Sequence, residues 1–479
     1  MKKLIFILLL NPLFILCSSE IHQENSIAFT NVTIINPDDS ALKSGMIVIV
    51  QGNRISLIGK TEDVKIPHKT KIINASGKYI IPGLWDMHVH IVRDELDIQC
   101  RDIYFSLFIT NGITGVRDVG SDWGVLKQWR NDIELGKLLG PQIVSSGPIL
   151  WGYPERSRVK IPINNPTEGR QTIDSLKNEG VDFIKVLEGI SKETFYAIAD
   201  EANKLGLSFV GHVPFTLSAA EVSDAGMRSI EHLTGVLLGC STREEELGWT
   251  GKDIKYILET YSEQKADLLF RRFAENNTWQ CPTLVLFNMK RLIGGGYKYS
   301  NEPPPSSSAL LRYFPDRWEE AWKGTLERMI QRGYMLDNST SEGASINAMF
   351  HKKQLEAVGK MHQVGVEFLA GTDCPAGPYL LPGFSLHNEL ELLVESGLTP
   401  MEALQTATLK PAEFLGMLDS LGTIEKGKIA NLVLLDANPL EDISNTQKIN
   451  SVVLNGNLFT RSDLDKKLAE VETAVVNIK

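Results

Sequence analysis

The sequence has few cysteines, no apolar run long enough to span a bilayer and fewer basic than acidic residues. Five cysteines among 479 residues are too few for a scaffold built from disulfides. Lys and Arg number 49 against 59 Asp and Glu, which gives a formal net charge of −10. This balance argues against a nucleic-acid partner, because phosphate binding needs a basic surface. The 43% of hydrophobic residues are typical of a globular protein, and the length predicts one large domain with a smaller one.

A mostly apolar stretch near the N-terminus predicts an export signal over residues 1–17. Lys2 and Lys3 precede the apolar residues 4–16, and this run is shorter than the roughly 20 residues that span a bilayer. Cys17 follows directly, so lipoprotein processing at Cys17, plain cleavage nearby and an uncleaved tether all stay open. We expect an exported bacterial protein that is either periplasmic or anchored to the membrane as a lipoprotein.

The two ends of the chain differ in pattern from its middle. Residues 26–81 and 416–460 carry short alternating apolar runs, which predict the two parts of one small β-sandwich. Residues 82–415 alternate apolar runs with amphipathic stretches, which predicts an α/β domain with a (β/α)8 barrel of the TIM type. A doubly wound open sheet is the alternative, although the sequence offers no glycine-rich phosphate loop. The eight predicted barrel strands cover residues 84–90, 113–119, 142–146, 182–187, 207–213, 229–233, 279–285 and 367–373.

Two further segments extend this plan. Residues 287–365 contain three consecutive prolines and two helical patterns, which predict a helical insertion. The insertion is either a cover over the barrel mouth or a pair of surface helices. Residues 461–479 form a C-terminal tail.

Side chains that suit metal ions fall at the ends of the predicted barrel strands, where this fold builds its active sites. His88 and His90 share one face of a strand, because side chains alternate along it. Four of the nine histidines and one acid converge on this rim. Imidazole and carboxylate ligands favour Zn²⁺, with Fe²⁺, Mn²⁺ and Co²⁺ as alternatives. The predicted metal residues are His88, His90, Lys185, His212, His232 and Asp373.

Lys185 is unusual because it lies within an apolar strand, where a charged amine is costly. Burial lowers the pKa of a lysine from its usual value of about 10.4, so a neutral amine becomes accessible. A neutral amine can take up CO2 to form a carbamate, an anion that two adjacent cations would stabilise. The hypothesis is therefore a pair of divalent metals bridged by a carbamate on Lys185, with an ion-paired or snorkelling lysine as the alternative.

These residues lie in motifs that resemble those of the amidohydrolase superfamily. The pair His88 and His90 resembles its first-strand motif, and residues 371–373 resemble its last-strand motif. Residues 422–433 resemble the return to the sandwich, with Asn431 where aspartate is usual. The imidazolonepropionase-like, prolidase-like branch is the most similar, through residues 183–186, 211–212 and 230–234.

The resemblance implies a binuclear hydrolase that cleaves the C–N bond of a dipeptide or an N-acyl amino acid by a metal-bridging hydroxide. It implies that Asp373 moves the proton, and that His88, His90 and Asp373 hold one metal while His212 and His232 hold the other, with Lys185 between them. Imidazolonepropionase itself is mononuclear and lacks this lysine. A mononuclear deaminase or cyclic-amide hydrolase remains an alternative, and a non-catalytic binding relative is another.

Contacts to a small-molecule substrate are expected from loops after the strands. Arg156 and Arg158 follow the third strand with Tyr153, and an arginine there could bind a peptide carboxylate through two hydrogen bonds. Ordinary surface arginines are the alternative. His387 and Glu389 follow the last strand and either line the mouth or form a surface pair at a helix start. A homo-oligomer stays open.

Overall fold

The computed structural model describes residues 26–478, apart from residues 40, 249, 289–309 and 378 and scattered positions within 316–339. The predicted signal over residues 1–17, with Cys17, lies outside the described residues. So do the three prolines of the insertion and most of its first predicted helix. Among the described residues, no helix combines the length and the apolar character that crossing a membrane requires.

Strands from both ends of the chain form one mixed sheet around the strand β1, Ser26–Ile34. This strand runs antiparallel to β2, Lys43–Gln51. Its first half pairs in parallel with β4, Lys71–Asn74, and its last residues pair with β5, Tyr79–Pro82. β5 pairs along its whole length with β15, Leu432–Leu435. The other strands of this sheet are β3, Arg54–Lys60; β16, Ile449–Leu454; and β17, Asn457–Thr460.

The hydrogen bonds thus define a single sheet of eight strands to which both ends of the chain contribute. The physical reason is that β1 changes partner along its length, so one sheet continues from the N-terminal strands to the C-terminal ones. Phe29, Val48 and Leu434 belong to one buried cluster that both chain ends build. The alternating apolar residues of both chain ends therefore pack in one core.

The middle of the chain forms two parallel sheets. Seven of the eight predicted strands are present, each shorter than predicted, and residues 367–373 carry no assigned strand. The first sheet has the order β6-β7-β8 and the second the order β10-β9-β11-β12-β13-β14. β9 and β10 were not predicted. The strands are β6, Leu84–Val89; β7, Ile113–Asp118; β8, Gln142–Ser145; β9, Ile149–Trp151; β10, Lys160–Pro162; β11, Ile184–Val186; β12, Phe209–Gly211; β13, Ser229–Glu231; and β14, Trp279–Cys281.

Residues 367–374 link these two sheets. The N–H of Leu369 donates to the carbonyl of Gln280 on β14 at 2.9 Å. The N–H of Met87 on β6 donates to the carbonyl of Ala370, also at 2.9 Å. The segment therefore runs between the first and the last parallel strand and brings their carboxyl ends to one place.

Helices alternate with the parallel strands, and side-chain caps begin most of them. Asn165 and Ser191 each accept a hydrogen bond from an N–H of the first helical turn. The helices are α1, Glu95–Gln99; α2, Arg101–Thr110; α3, Trp123–Glu134; α4, Pro166–Glu179; α5, Lys192–Lys204; α6, Ala219–Asp224; α7, Val236–Gly239; α8, Ile254–Glu259; α9, Glu263–Glu275; α10, Ser341–Gln363; α11, Phe384–Glu395; α12, Pro400–Thr406; α13, Leu409–Phe414; and α14, Arg461–Asn477, with short 3-10 helices at Thr61–Asp63, Gly251–Asp253, Leu311–Tyr313 and Ile443–Gln447.

Two helices refine the predicted organisation. The segment predicted as a C-terminal tail is α14, which starts at a capping box of Thr460 and Asp463 and packs on α2. Its side chains Leu464 and Val471 are buried, so the end of the chain belongs to the core. In the described part of the insertion, α10 covers the second predicted helical pattern.

Candidate metal centre

The six predicted metal residues lie on five separate segments whose carboxyl ends meet. His88 is on β6 and Lys185 on β11, while His212 and His232 directly follow β12 and β13. His232 and Asp373 have φ angles of 59° and 66°, a left-handed conformation that costs energy in residues other than glycine. The chain leaves the strand direction at these two positions, and such outliers are common at functional sites.

The structure brings the four histidines and Asp373 together. Oδ1 of Asp373 lies 3.4 Å from Nε2 of His88 and 3.2 Å from Nε2 of His90. The ring centroids of His88 and His232 are 4.4 Å apart, and those of His212 and His232 are 5.0 Å apart. One ligand atom from each of His88, His232 and Asp373 lies within 4.8 Å of the others. These distances suit a shared set of metal ligands.

Each of the four histidines has its Nδ1 within hydrogen-bond distance of an oxygen. Metal-binding histidines commonly donate their second ring N–H to a carboxylate or a carbonyl, which fixes the tautomer and the ring orientation. The Nδ1 partners are Glu231 at 2.6 Å for His88, the carbonyl of Gly120 at 3.0 Å for His90, Glu188 at 2.7 Å for His212 and the Thr283 hydroxyl at 2.7 Å for His232.

Lys185 places an amine without a hydrogen-bond partner among the described residues in this centre. The residue is 1% exposed. Burial, with the charge of Arg117 beside it, lowers the pKa of Lys185 to about 8, although the carboxylates of Glu231 and Asp373 oppose this shift. A buried amine without a partner is costly.

The electrostatics keep the surrounding groups in forms that bind cations. Burial lowers the pKa of both His212 and His232, so these imidazoles are neutral near pH 7. Burial alone would raise the pKa of Asp373, but the imidazoles of His232, His88 and His90 hold it well below its usual range. The centre therefore offers neutral nitrogen ligands and an ionised carboxylate.

The substrate contacts after the third strand stay a prediction, and the structure shows the surroundings of Tyr153, Arg156 and Arg158. Arg158 lies 3.5 Å from a carboxylate oxygen of Glu95 and is largely exposed. Arg156 lines a cleft along α4, and none of the six residues lines that cleft. The ring of Tyr153 packs on Trp151, with the centroids 5.3 Å apart.

His387 and Glu389 are buried inside the protein. They neither line the barrel mouth nor form a surface pair at a helix start, so both predictions for this pair are wrong. His387 is 1% exposed, and its ring nitrogens lie 2.9 Å from the Thr446 hydroxyl and 3.2 Å from the Asn111 carbonyl. Glu389 accepts two backbone N–H groups of residues 284–285. The pair faces inward because α11 presents these positions to its neighbours rather than to the mouth.

Sequence reasoning missed the groups that orient the ligands. Glu231 and Arg117 are 0% exposed and lie in short apolar strands, which is the signal that had drawn attention to Lys185. Asp86 is also buried, and it accepts hydrogen bonds from the backbone of His88 and from the Thr372 hydroxyl. Charged residues within apolar strands could have identified all three.

Two aromatic residues of the insertion contact α2 and the loop that follows Asp373. Trp318 and Trp322 are buried, and the ring of Trp318 packs 5.5 Å from that of Tyr104. Trp322 packs 5.0 Å from Tyr379, which follows Asp373 closely in sequence. The described part of the insertion therefore contacts the loop that leaves the centre.

Comparison with known proteins identifies the family. The amidohydrolase family profile matches residues 79–459. The chain is 21% identical over 452 residues to a 5′-deoxyadenosine deaminase of Methanobrevibacter smithii, a match that covers 90% of this chain and 88% of that protein. The crystal structure of a Xaa-Pro dipeptidase with bound methionine has a TM-score of 0.66 at 21% identity and covers 91% of this chain and 100% of its own.

A bottromycin amidohydrolase has a TM-score of 0.71 at 19% identity, over 94% of this chain and 90% of that one. These similarities confirm the predicted superfamily and its α/β fold, and the family implies a metal-dependent hydrolase that acts on carbon–nitrogen bonds. The chain belongs to the amidohydrolase family.

Proposed function

We propose that this chain is a binuclear metal-dependent hydrolase that cleaves the amide bond of a dipeptide or an N-acyl amino acid. The observation that carries the proposal is the buried amine of Lys185, which has no hydrogen-bond partner among the described residues. The charges of Lys185 and of the imidazoles of His212 and His232 influence one another. The position of this amine among the imidazoles is explained if CO2 converts it to a carbamate, an anion that would bridge two cations.

The proposed ligand sets follow the arrangement of the segments. His88, His90 and Asp373 would hold one ion, since Asp373 lies against both rings. His212 and His232 would hold the other, and the carbamate of Lys185 would bridge the two. Zn²⁺ suits these nitrogen and oxygen ligands best, with Fe²⁺, Mn²⁺ and Co²⁺ as alternatives.

The residues of the chain supply orientation and proton transfer. When bound, the metal pair would activate water and polarise the carbonyl of the substrate. Asp373 contacts His88 and His90 through Oδ1, which leaves Oδ2 to carry a proton to the leaving amine. The side chains of Asp373, His90 and His212 are 14%, 13% and 17% exposed whereas that of His88 is fully buried, so Asp373 is one of the groups that reach the opening.

We propose further that the two parallel sheets are arcs of one closed (β/α)8 barrel. Residues 367–374 run between β14 and β6 on one side. On the other side, the N–H of Asp182 before β11 donates to the carbonyl of Ser145 on β8 at 2.9 Å. The carboxyl ends of the strands would then form one rim, where active sites of such barrels lie.

The variant Lys185→Ala tests the carbamate. We expect it to lose bound metal and hydrolytic activity, and to regain part of both when short carboxylic acids such as acetate or propionate are added. Elemental analysis of the purified protein measures the metal, and a matched Lys192→Ala variant, which changes an exposed lysine paired with Glu221, should keep both properties. A Lys185→Ala protein with two metals and full activity without added acid would contradict the proposal.

A substrate screen separates this proposal from its main alternative. The deaminase of Methanobrevibacter smithii favours, as a second candidate, a mononuclear enzyme that releases ammonia from a nucleoside. We expect a dipeptide and N-acyl amino acid library, tested with two equivalents of Zn²⁺, to contain the better substrates. One metal per chain together with ammonia release from 5′-deoxyadenosine would support the second candidate instead.

A further inference from the structure

Arg117 is a guanidinium wholly enclosed in protein, on the strand next to the one that carries His88. It is 0% exposed, and each of its three side-chain nitrogens donates a hydrogen bond. Nε donates to the carbonyl of Met87 at 2.6 Å, and Nη1 donates to the hydroxyl of Ser229 at 3.1 Å. Nη2 donates to both carboxylate oxygens of Glu231 at 2.9 Å. A cation so enclosed cannot contact a substrate, so it acts through the groups that accept its hydrogen bonds.

Glu231 connects this cation to the ring of His88. Its Oε2 lies 2.6 Å from Nδ1 of His88, and its Oε1 accepts the hydroxyl of Ser229 at 2.5 Å. The pairing with Arg117 favours the ionised carboxylate, which can only accept hydrogen bonds. The proton between Glu231 and His88 therefore lies on Nδ1, so Nε2 is the ring nitrogen that a metal would bind.

The surroundings of His88 place its Nε2 beside Asp373. Nε2 of His88 has no hydrogen-bond partner among the described residues, and the oxygen of Asp373 lies 3.4 Å from it. Arg117 also holds the carbonyl of Met87, the residue before His88. One side chain thus fixes both the ring and the backbone of a proposed metal ligand.

We propose that Arg117 is a positioning residue of the metal centre, which through Glu231 holds His88 with its proton on Nδ1 and Nε2 directed at the metal. This inference rests on the proposed function. A role in stability alone makes a different prediction, because replacing a buried ion pair by apolar groups of similar volume is often neutral or stabilising. Loss of a group that orients a metal ligand instead weakens metal affinity or activity by about 10–100-fold.

The double variant Arg117→Met/Glu231→Leu separates the two roles, because it removes both charges at similar volume. We expect its metal-free form to stay folded, and its Zn²⁺ affinity to fall by about 10–100-fold. Chelator competition measures the affinity on initially metal-free protein, and circular dichroism follows the unfolding. Neither measurement depends on a substrate.

The single variant Glu231→Gln tests the tautomer without a change of shape. Its side-chain amide can turn an N–H toward Nδ1 of His88, which would move the ring proton to Nε2 and block metal binding. We expect a similar loss of Zn²⁺ affinity. If the double variant does not fold, this variant decides the question alone.

A matched control breaks an ion pair away from the centre. Arg130 on α3 pairs with Asp182 at 2.6 Å, and Arg130→Met should leave Zn²⁺ affinity unchanged. Wild-type affinity in both the double variant and Glu231→Gln would overturn the positioning role while leaving the proposed function intact. A wild-type protein that binds no divalent metal would overturn the proposed function and this inference with it.

Discussion

The buried imidazole of His387 predicts a loss of stability in acid. Burial lowers the pKa of His387 to about 4 from its ordinary value of 6.5. In the unfolded chain His387 is protonated below about pH 6.5, whereas in the folded protein it is protonated only below about pH 4. The free energy of unfolding therefore falls as the pH drops from 6.5 to 4. The contribution is about 2 kcal/mol between pH 7.5 and 5.

We expect His387→Gln to remove this part of the pH dependence. The variant should be less stable than wild type at pH 7.5, by about 1–3 kcal/mol, because the Asn111 carbonyl or the Thr446 hydroxyl loses its partner. Urea unfolding at pH 7.5 and 5 measures both effects. The exposed His68→Gln is the control and should match wild type. An unchanged pH slope in His387→Gln would contradict the assignment, as would a large loss of activity at pH 7.5.

Single residues also show where prediction from the sequence succeeds and where it stops. The apolar runs locate His212 and Asp373 correctly near the carboxyl ends of parallel segments. Alternation along a strand would send the neighbours Glu231 and His232 to opposite faces. His232 has a φ of 59°, so it leaves the strand and both side chains contact His88. The pattern of apolar and polar residues does not predict the positive φ angle of His232.

At the scale of elements, α14 is a part of the core rather than an appendage. Leu464 is 0% exposed where α14 packs on α2. We expect Leu464→Ala to lower the free energy of unfolding by about 2–5 kcal/mol, because it removes buried methyl groups and leaves a cavity. Denaturant titration measures the loss.

A second position on the same helix provides the comparison. Val476 is 80% exposed, and Val476→Ala should change stability by less than about 0.5 kcal/mol. The hydrolytic activity of both variants should match that of wild type at a temperature where both are folded. Equal stabilities of the two variants would show that α14 does not dock as described.

The eight-stranded sheet shows a limit of prediction at this scale. The apolar alternation of residues 26–81 indicates strands, and the structure contains them. Periodicity gives the inward face of a strand but not its neighbour, so it does not reveal that β1 pairs first with β4 and then with β5. The single sheet depends on that change of partner.

At the scale of the whole molecule, the proposed metals would connect segments far apart in sequence. His88 and Asp373 lie on the first and last segments of the parallel part, and Lys185 lies between them. Ions that bind only the folded chain stabilise it by about 4 kcal/mol when their free concentration is 1,000 times the dissociation constant. Removal of metal should therefore lower the unfolding temperature.

Thermal unfolding with and without a chelator measures this effect. We expect a clear decrease for wild type and a much smaller one for Lys185→Ala, which would already lack metal. Re-addition of Zn²⁺ to the chelated wild-type protein should restore the higher temperature. If neither the chelator nor added Zn²⁺ changes the unfolding temperature of the wild-type protein, a metal centre that connects these segments is contradicted.

The pairing of β5 with β15 also constrains the order in which the chain folds during its synthesis. Tyr79–Pro82 pairs along its whole length with Leu432–Leu435, so that edge stays unsatisfied until almost all of the protein has been translated. The parallel strands between them can assemble earlier, since domains form as their residues emerge. Until that pairing forms, the uncovered edge of β5 offers a template for pairing with another chain.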